Sequence, residues 1–529
     1  MLQVKNLTMV HRKDLRYLMK DFSWVLNPGD KAVIIGEEGN GKSTFLKLLY
    51  DERLVEDYVE YSGEIIRDGS HIGYLPQEMP ADCLDLTVLQ YFEQYPMFYE
   101  CEWGSLAKTA ALLGLPADFY YSQQRVGSLS GGEKVKLSMA RLLLMEPDVL
   151  FLDEPSNDLD MKTLEWLEDF IKNSRIPIVF ISHDEMLIEN TANVIIHFEQ
   201  LRRKTVFRGT VARMDYRTYV KTRLSGMEHQ AQVASKEREE RARQQARYMK
   251  IYQKVEHQQA SISRQDPHGG QLLKKKMHAV KALGRRLERE NEQLTEFPDS
   301  EDAISLKWRE NDGVPAGKKV IEFSVAPETM SRLTGKDFKS EVSLAVTGPD
   351  KVCIIGANGA GKSTFIKMVA NELLGRRDIH TVYMPQNYED MLKLTATPVE
   401  FLCVSGDKAE MSRIRTFLGS MKYTADEMDH ACGELSGGQK AKLFFIKMIL
   451  SGCNVLVLDE PTRNFSPLSG PEIRRMLREF PGAIISISHD RKYIQEVCSH
   501  VYALDENGLS PVSDMRFTDN PVNSSIRRR

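Results

Sequence analysis

Nothing in this 529-residue sequence approaches the roughly 18 to 20 consecutive apolar residues that cross a bilayer as a helix. Any movement of material across a membrane would need another chain to form the channel. The first residues, MLQVKNLTMV, lack the basic stretch and long apolar segment of a signal peptide. Cysteine is sparse, with seven residues at 83, 101, 353, 403, 432, 453 and 498, odd in number and without a CxxC pair. That argues against a disulfide framework or a zinc site, and a reducing, cytoplasmic setting is expected. The chain is 42% hydrophobic and 28% charged with a net charge of -4. It is too long for one hydrophobic core, and its balanced total hides a local excess of positive charge.

What the sequence does have is an internal repeat. AVIIGEEGNGKSTF at 32–45 returns as VCIIGANGAGKSTF at 352–365, an offset of 320. SLSGGEKVKL (128–137) matches ELSGGQKAKL (434–443), VLFLDEPS (149–156) matches VLVLDEPT (455–462), and ISHD recurs at 181–184 and 487–490, all at an offset of 306. The second copy is shorter by 14 residues, lost between the first two motifs. Short β-branched runs alternate with helical patterns in each half, which predicts an α/β fold with a mostly parallel sheet covered by helices.

Each copy carries the same chemistry. Gly36, Glu37, Glu38, Gly39, Asn40, Gly41, Lys42, Ser43 and Thr44 fit a phosphate-binding loop, as do Gly356, Ala357, Asn358, Gly359, Ala360, Gly361, Lys362, Ser363 and Thr364. Glycines let backbone N–H groups wrap phosphates at a helix N-terminus. Lys42 and Lys362 are expected to reach the β- and γ-phosphates of ATP, with Ser43 and Ser363 on magnesium. A glycine-rich turn before a helix is the weaker reading of one such match and a negligible one of two in matching contexts. Val149–Leu152 leads into Asp153 and Glu154, and Val455–Leu458 into Asp459 and Glu460. A strand ending in two acids offers one carboxylate to the metal, here Asp153 and Asp459, and the next to the attacking water, here Glu154 and Glu460.

The order of phosphate loop, YLPQ or YMPQ, LSGG, DEP and SHD resembles that of ATP-binding-cassette proteins, and it occurs twice. The resemblance implies that Gln77 and Gln386 sense magnesium and water, and that His183 and His489, each 29 residues after its glutamate, contact the γ-phosphate. It also implies that each signature covers the opposite nucleotide: Ser130, Gly131 and Gly132 the ATP at Lys362, and Ser436, Gly437 and Gly438 the ATP at Lys42. One departure stands out. SNDLD (156–160) fits the family's D-loop, whereas TRNFSPLS (462–469) lacks the Leu-Asp pair, so the site on Lys42 and Glu154 is expected to be the weaker. His11 and Tyr17 are candidates to stack adenine in the first half; the region before 350 offers none.

Between the copies, residues 215–297 form a segment of their own, with few β-branched residues, and a single proline, Pro267, falls in 215–296. Two long helices of about 40 and 26 residues are predicted, broken near SRQDPHGG (263–270). The tip is expected at Gln258–Gln271 with His268, Gly269 and Gly270 at the turn. Leu273, Val280, Leu287 and Leu294 recur every seven residues, reinforced by Met277, and the matching stripe on the first helix is read as Ala242, Ala246 and Met249. From 221 to 290 there are 17 Lys and Arg against 8 Asp and Glu, a net of +9. A solvated spacer needs no such charge; RNA phosphates attract it.

Two cassettes (1–214 and 298–529) joined by a basic helical hairpin resemble the ABC-F family of translation factors. That resemblance implies an ATP hydrolase acting as a clamp near the ribosomal tRNA exit site. The hairpin would point toward peptidyl-tRNA and the peptidyl-transferase centre, in translation regulation or in protection from ribosome-targeting antibiotics. The expected partners are ribosomal RNA and tRNA, and the expected state is a monomer whose two cassettes pair with each other. Two other classes share these motifs. The energy-supplying subunit of a transporter with separate membrane chains would show coupling surfaces rather than a basic projection. A chromosome-structuring or repair ATPase would place a far longer coiled coil inside one split cassette, whereas both cassettes here are intact.

Overall fold

The short apolar runs become strands buried on both faces, as a parallel sheet under two helical layers requires. Val149–Asp153, Ile178–Ile181, Val455–Asp459 and Ala483–Ile487 are buried along their whole length. In the first half the sheet order is Ile72–Leu75, Val149–Asp153, Ile178–Ile181, Lys31–Ile35, Val194–Gln200 and Val206–Ala212. Only the last strand is antiparallel to its neighbour. The second half repeats this with Thr381–Met384, Val455–Asp459, Ala483–Ile487, Lys351–Ile355, His500–Asp505 and Gly508–Pro511. The computed structural model describes residues 2–157, 159–201, 205–261, 267–291, 295, 297–298, 308 and 313–512. Met1–Tyr216 and Glu301–Arg529 make one compact unit, and Arg217–Ser300 another.

The length difference between the repeats has a structural counterpart. A three-stranded antiparallel sheet in the first half orders Tyr17–Leu26, Leu2–His11 and Val59–Ile66, while among the described residues its equivalent in the second half has two strands, Lys319–Val325 and Val342–Thr347. The strand without a counterpart, Val59–Ile66, lies between phosphate loop and glutamine loop, where Gln77 follows Lys42 by 35 residues but Gln386 follows Lys362 by only 24.

Within the larger unit the two halves meet through buried and half-buried charge. The first supplies acids and the second bases. Arg474 Nη2 lies 2.8 Å from Glu185, with its Nε 3.0 Å from Glu496 of its own half. Arg491 Nη2 lies 2.9 Å from Glu168 and 3.7 Å from Asp184, and Lys492 pairs with Glu185 at 2.8 Å and with Glu189. Glu185 and Arg491 occupy equivalent positions after the two SHD motifs, so this complementarity is a difference between the repeats.

The smaller unit is a pair of antiparallel helices, Tyr216–Ser261 (whose first residue belongs to the larger unit) and Pro267–Asn291. The second helix begins at Pro267, so His268, Gly269 and Gly270 lie in its first turn rather than at the bend. Proline suits that position because its fixed φ is helical and its missing N–H has no acceptor to lose there. Residues 262–266 of the expected tip, and Leu294 of the expected seam, lie outside the described residues. Met277, Val280 and Leu287 are buried and Leu273 is half-buried. The stripe facing them differs from the expected one: Ala242, Ala246 and Met249 are exposed, and Tyr248 and Tyr252 pack with Val255 against Met277 and Val280. Ala234, Arg241, Tyr248 and Val255 keep the seven-residue spacing, one position earlier than Ala242 and Met249. Each residue turns a helix by about 100°, so an error of one carries a small residue off the seam. Gly284 admits the Tyr248 ring, since an added Cβ would lie 2.6 Å from its hydroxyl.

Removing one partner of a buried ion pair leaves the other charge uncompensated. Arg474→Ala is therefore expected to cost about 3 to 5 kcal/mol of the larger unit's stability, seen as an earlier unfolding transition in urea. Combining it with Glu185→Gln should recover part of that loss.

Candidate active sites

Both phosphate loops need glycine for steric reasons. At Gly36 φ is 145° and an added Cβ would lie 2.2 Å from the Phe198 carbonyl oxygen; at Gly356 φ is 151° and the distance to the Leu504 carbonyl oxygen is 2.6 Å. The loop then wraps its own lysine. Lys42 Nζ donates to the Gly36 and Glu37 carbonyls at 2.9 and 3.0 Å, and Lys362 Nζ to those of Gly356 and Ala357 at 2.7 and 3.0 Å. Ser43 and Ser363 follow at the starts of helices Lys42–Tyr50 and Lys362–Leu374. Each signature begins a helix too: Ser130 and Ser436 are N-caps of Gly131–Leu144 and Gly437–Ser451, held in capping boxes with Glu133 and Gln439.

The acids sit at the ends of the central strands. Asp153 and Asp459 are buried, and the residues after them, Glu154 and Glu460, adopt left-handed φ values of 50° and 55°. That conformation is sparsely populated by side-chain-bearing residues and persists only where its surroundings enforce it. Backbone bonds from Glu154 to Ile181 (3.1 Å) and from Glu460 to Ile487 (2.9 Å) do so here.

Around these shared parts the two sites differ. In the first, every acid oxygen is met by the protein. Asp153 accepts from Ser43 Oγ at 2.8 Å and from the Tyr74 hydroxyl at 3.0 Å. Glu154 accepts from Gln77 Nε2 at 3.0 Å and Asn157 Nδ2 at 2.6 Å, with His183 Nε2 at 3.5 Å. His183 Nδ1 donates to the Phe465 carbonyl of the second half at 2.7 Å. Burial would raise the Glu154 pKa, but the His183 contact, Lys42 and Asn157 outweigh it and hold the carboxyl at about 2.

In the second site polar groups are left over. Asp459 is bonded by Ser363, yet its Oδ2, the Tyr383 hydroxyl and His489 Nδ1 are buried without a hydrogen-bond partner among the described residues. Glu460 accepts only a long bond from the His489 backbone, at 3.3 Å, among its described hydrogen bonds, with His489 Nε2 at 3.8 Å. Burial and the neighbouring Asp459 push Glu460 up to about 8, and burial with the Lys362 charge lowers His489 to about 4. Asp459, Glu460 and His489 line a cavity of about 520 Å³ together with Asn358, Gly359, Gly361, Lys362, Ser363, Thr364 and Gln386. Gly131, Ser156, Asn157 and Leu159 close it from the first half. A buried carboxylate oxygen without a partner among the described residues, a serine hydroxyl and a lysine at the start of a helix are what a magnesium-bound triphosphate needs, so the Lys362 site fits that ligand.

Several neighbours escaped the motif reading. Tyr74 and Tyr383 stand three residues before their glutamines in both repeats, so the repeat itself marked them. Leu333 and Thr334, at the end of helix Pro327–Thr334, line the Lys362 cavity in the region where no stacking aromatic was found. His11 pairs with Asp14 at 2.8 Å, and Tyr17 carries the Lys20 ammonium 5.5 Å from its ring centre. Ser130 and Gly132 line a different depression, with Lys136 and Thr163, while Gly131 reaches the Lys362 cavity.

A phosphate loop, a signature helix and a strand-end acid pair on this sheet define an ATP-binding cassette, present twice. The family model described as "ABC transporter" matches residues 19–157 and 340–463. Among curated proteins, "ABC transporter F family member 5" of Arabidopsis thaliana is 25% identical across 93% of this chain and 73% of its own length. "Probable ATP-binding protein YheS" of Escherichia coli (strain K12) is 26% identical across 94% and 78%. Among solved structures, an archaeal ribosome recycling factor, aABCE1, crystallised with ribosomal stalk protein aP1, superposes with a TM-score of 0.55 at 16% identity, covering 94% of this chain and 87% of that one. The chain is a twin-cassette ATP hydrolase, similar to ABC-F-type proteins over most of its length. Among the described residues no helix is long and apolar enough to cross a membrane.

If Glu460 handles the water proton, Glu460→Gln should lower steady-state ATP turnover by about 10²-fold or more, measured as phosphate release.

Proposed function

We propose that this protein is an ATP-driven clamp that binds the ribosome near the tRNA exit site. Its basic hairpin would be directed at peptidyl-tRNA and the peptidyl-transferase centre, in translation regulation or in protection from ribosome-targeting antibiotics. The observation that carries the reading is the hairpin, where 17 Lys and Arg face 8 Asp and Glu while the whole chain is at -4. Two F-family relatives each align over 93% of the chain, and the fold is shared with a ribosome recycling factor. A cytoplasmic location is part of the same proposal.

In this scheme the Lys362 loop binds phosphates through its N–H groups and ammonium, and Asp459 with Ser363 holds magnesium. Bound ATP supplies interfacial phosphates that join the halves and a phosphoryl bond whose hydrolysis removes one of them. Glu460 orients water and takes its proton, a role that a carboxyl held near neutrality suits. His489 and Gln386 position groups around it, and Gly131 closes the site from the other half. Glu154, His183 and Gln77 are the corresponding set on Asp153.

Sedimentation tests the reading. Protein carrying Glu154→Gln and Glu460→Gln is expected to co-sediment with ribosomes in ATP, weakening by about 10³-fold or more between 50 and 200 mM salt if six or more phosphates are contacted. Replacing Lys274, Lys275 and Lys276 by alanine should flatten the log–log salt slope by about three. Failure to co-sediment rejects the ribosome; sedimentation with membranes instead supports a transporter subunit.

A further inference from the structure

The phosphate loop of the first half differs from that of the second at three positions: Asn40 stands where the second has Ala360, and the acids Glu37 and Glu38 where it has Ala357 and Asn358. Both acid side chains cross to the other half. Glu38 Oε2 accepts a hydrogen bond from the Gly438 backbone N–H of the second signature, and an added Cβ on Gly437 would lie 3.1 Å from both Glu38 carboxylate oxygens. Glu37 is buried between Lys442 Nζ at 3.0 Å and Ser469 Oγ at 2.9 Å. The signature helix N-terminus, which would receive a phosphate oxygen, therefore holds a carboxylate, an anionic acceptor of the same kind.

We propose that the Lys42 half of the interface is closed by the protein's own carboxylates, Glu38 taking on the second signature the place of a nucleotide phosphate, so that the closed clamp sandwiches a single ATP, at Lys362. Three independent observations agree. The acids of the first site are already met by Ser43, Tyr74, Asn157 and Gln77, whereas Asp459 Oδ2 and His489 Nδ1 of the second have no hydrogen-bond partner among the described residues. The His183 imidazole is tied to the Phe465 carbonyl across the interface. In the mirror position no such lock can form, because Ala357 carries no charge and Lys136, the equivalent of Lys442, lies over the Trp166 ring at 5.0 Å. A triphosphate entering the first site would bring its terminal charge against two carboxylates in a buried seam, where repulsion is weakly screened. Opening and closing then turn on the Lys362 site.

The inference rests on the cassettes taking ATP and not on the ribosome. The test is a count of bound nucleotide on the full-length protein with magnesium and a non-hydrolysable ATP analogue, by equilibrium dialysis and native mass spectrometry. Wild type is expected to hold one per chain, Lys42→Ala still one, and Lys362→Ala fewer than about 0.2. Glu38→Asn, which installs the residue of the second loop, is expected to raise the count toward two. A wild-type count of two, loss of nucleotide in Lys42→Ala, or a folded Glu38→Asn protein that stays at one overturns the proposal. Ribosome co-sedimentation read on the same samples separates its failure from that of the clamp reading.

Discussion

A charge taken out of water must find an opposite charge or a ring of donors, and this structure depends on how that demand is met where its halves meet. Acids of the first half reach bases of the second at Glu37 and Lys442, Glu185 and Arg474, and Glu168 and Arg491. Each pair joins residues more than 280 positions apart in the chain. Repulsion between like charges would oppose the same contacts between two copies of one half. Complementarity of this kind favours pairing of unlike halves, which a single polypeptide holding both supplies at high effective concentration.

The inequality of the sites follows from the same chemistry. Strand-end acids buried beside a phosphate loop either find protein donors or keep capacity for a ligand. The first set has Tyr74 on Asp153 and Asn157 on Glu154, and its carboxylate is held fully ionised. The second lacks the tyrosine bond, and its glutamate is raised by burial beside another acid. The second D-loop, which departs from the family pattern, is the one whose Phe465 carbonyl and Ser469 hydroxyl serve the first site. A change in a loop of one half is thus expressed at the site of the other.

The hairpin shows where helical periodicity is informative and where it stops. A seam at Met277, Val280 and Leu287 was legible because large apolar residues on an otherwise charged helix have one place to go. Its partner stripe was not, since alanines and lysine stems on the first helix offer similar surfaces at adjacent phases. Tyr248 decides the phase by needing the space that Gly284 leaves, and Tyr252 packs on the same seam.

Local chemistry at fixed spacing was determined by the sequence alone: two phosphate loops, two strand-end acid pairs, two signature helices, a mostly parallel α/β fold and a basic hairpin between the halves. These features need only a few neighbouring residues, so short motifs encode them. The tertiary structure decided which groups meet. Glu37 and Glu38 read as ordinary members of a phosphate loop until the fold sets them against Lys442 and Gly438, 405 and 400 residues away. No motif carries that contact, because a side chain's partner across an interface depends on the packing of two whole domains.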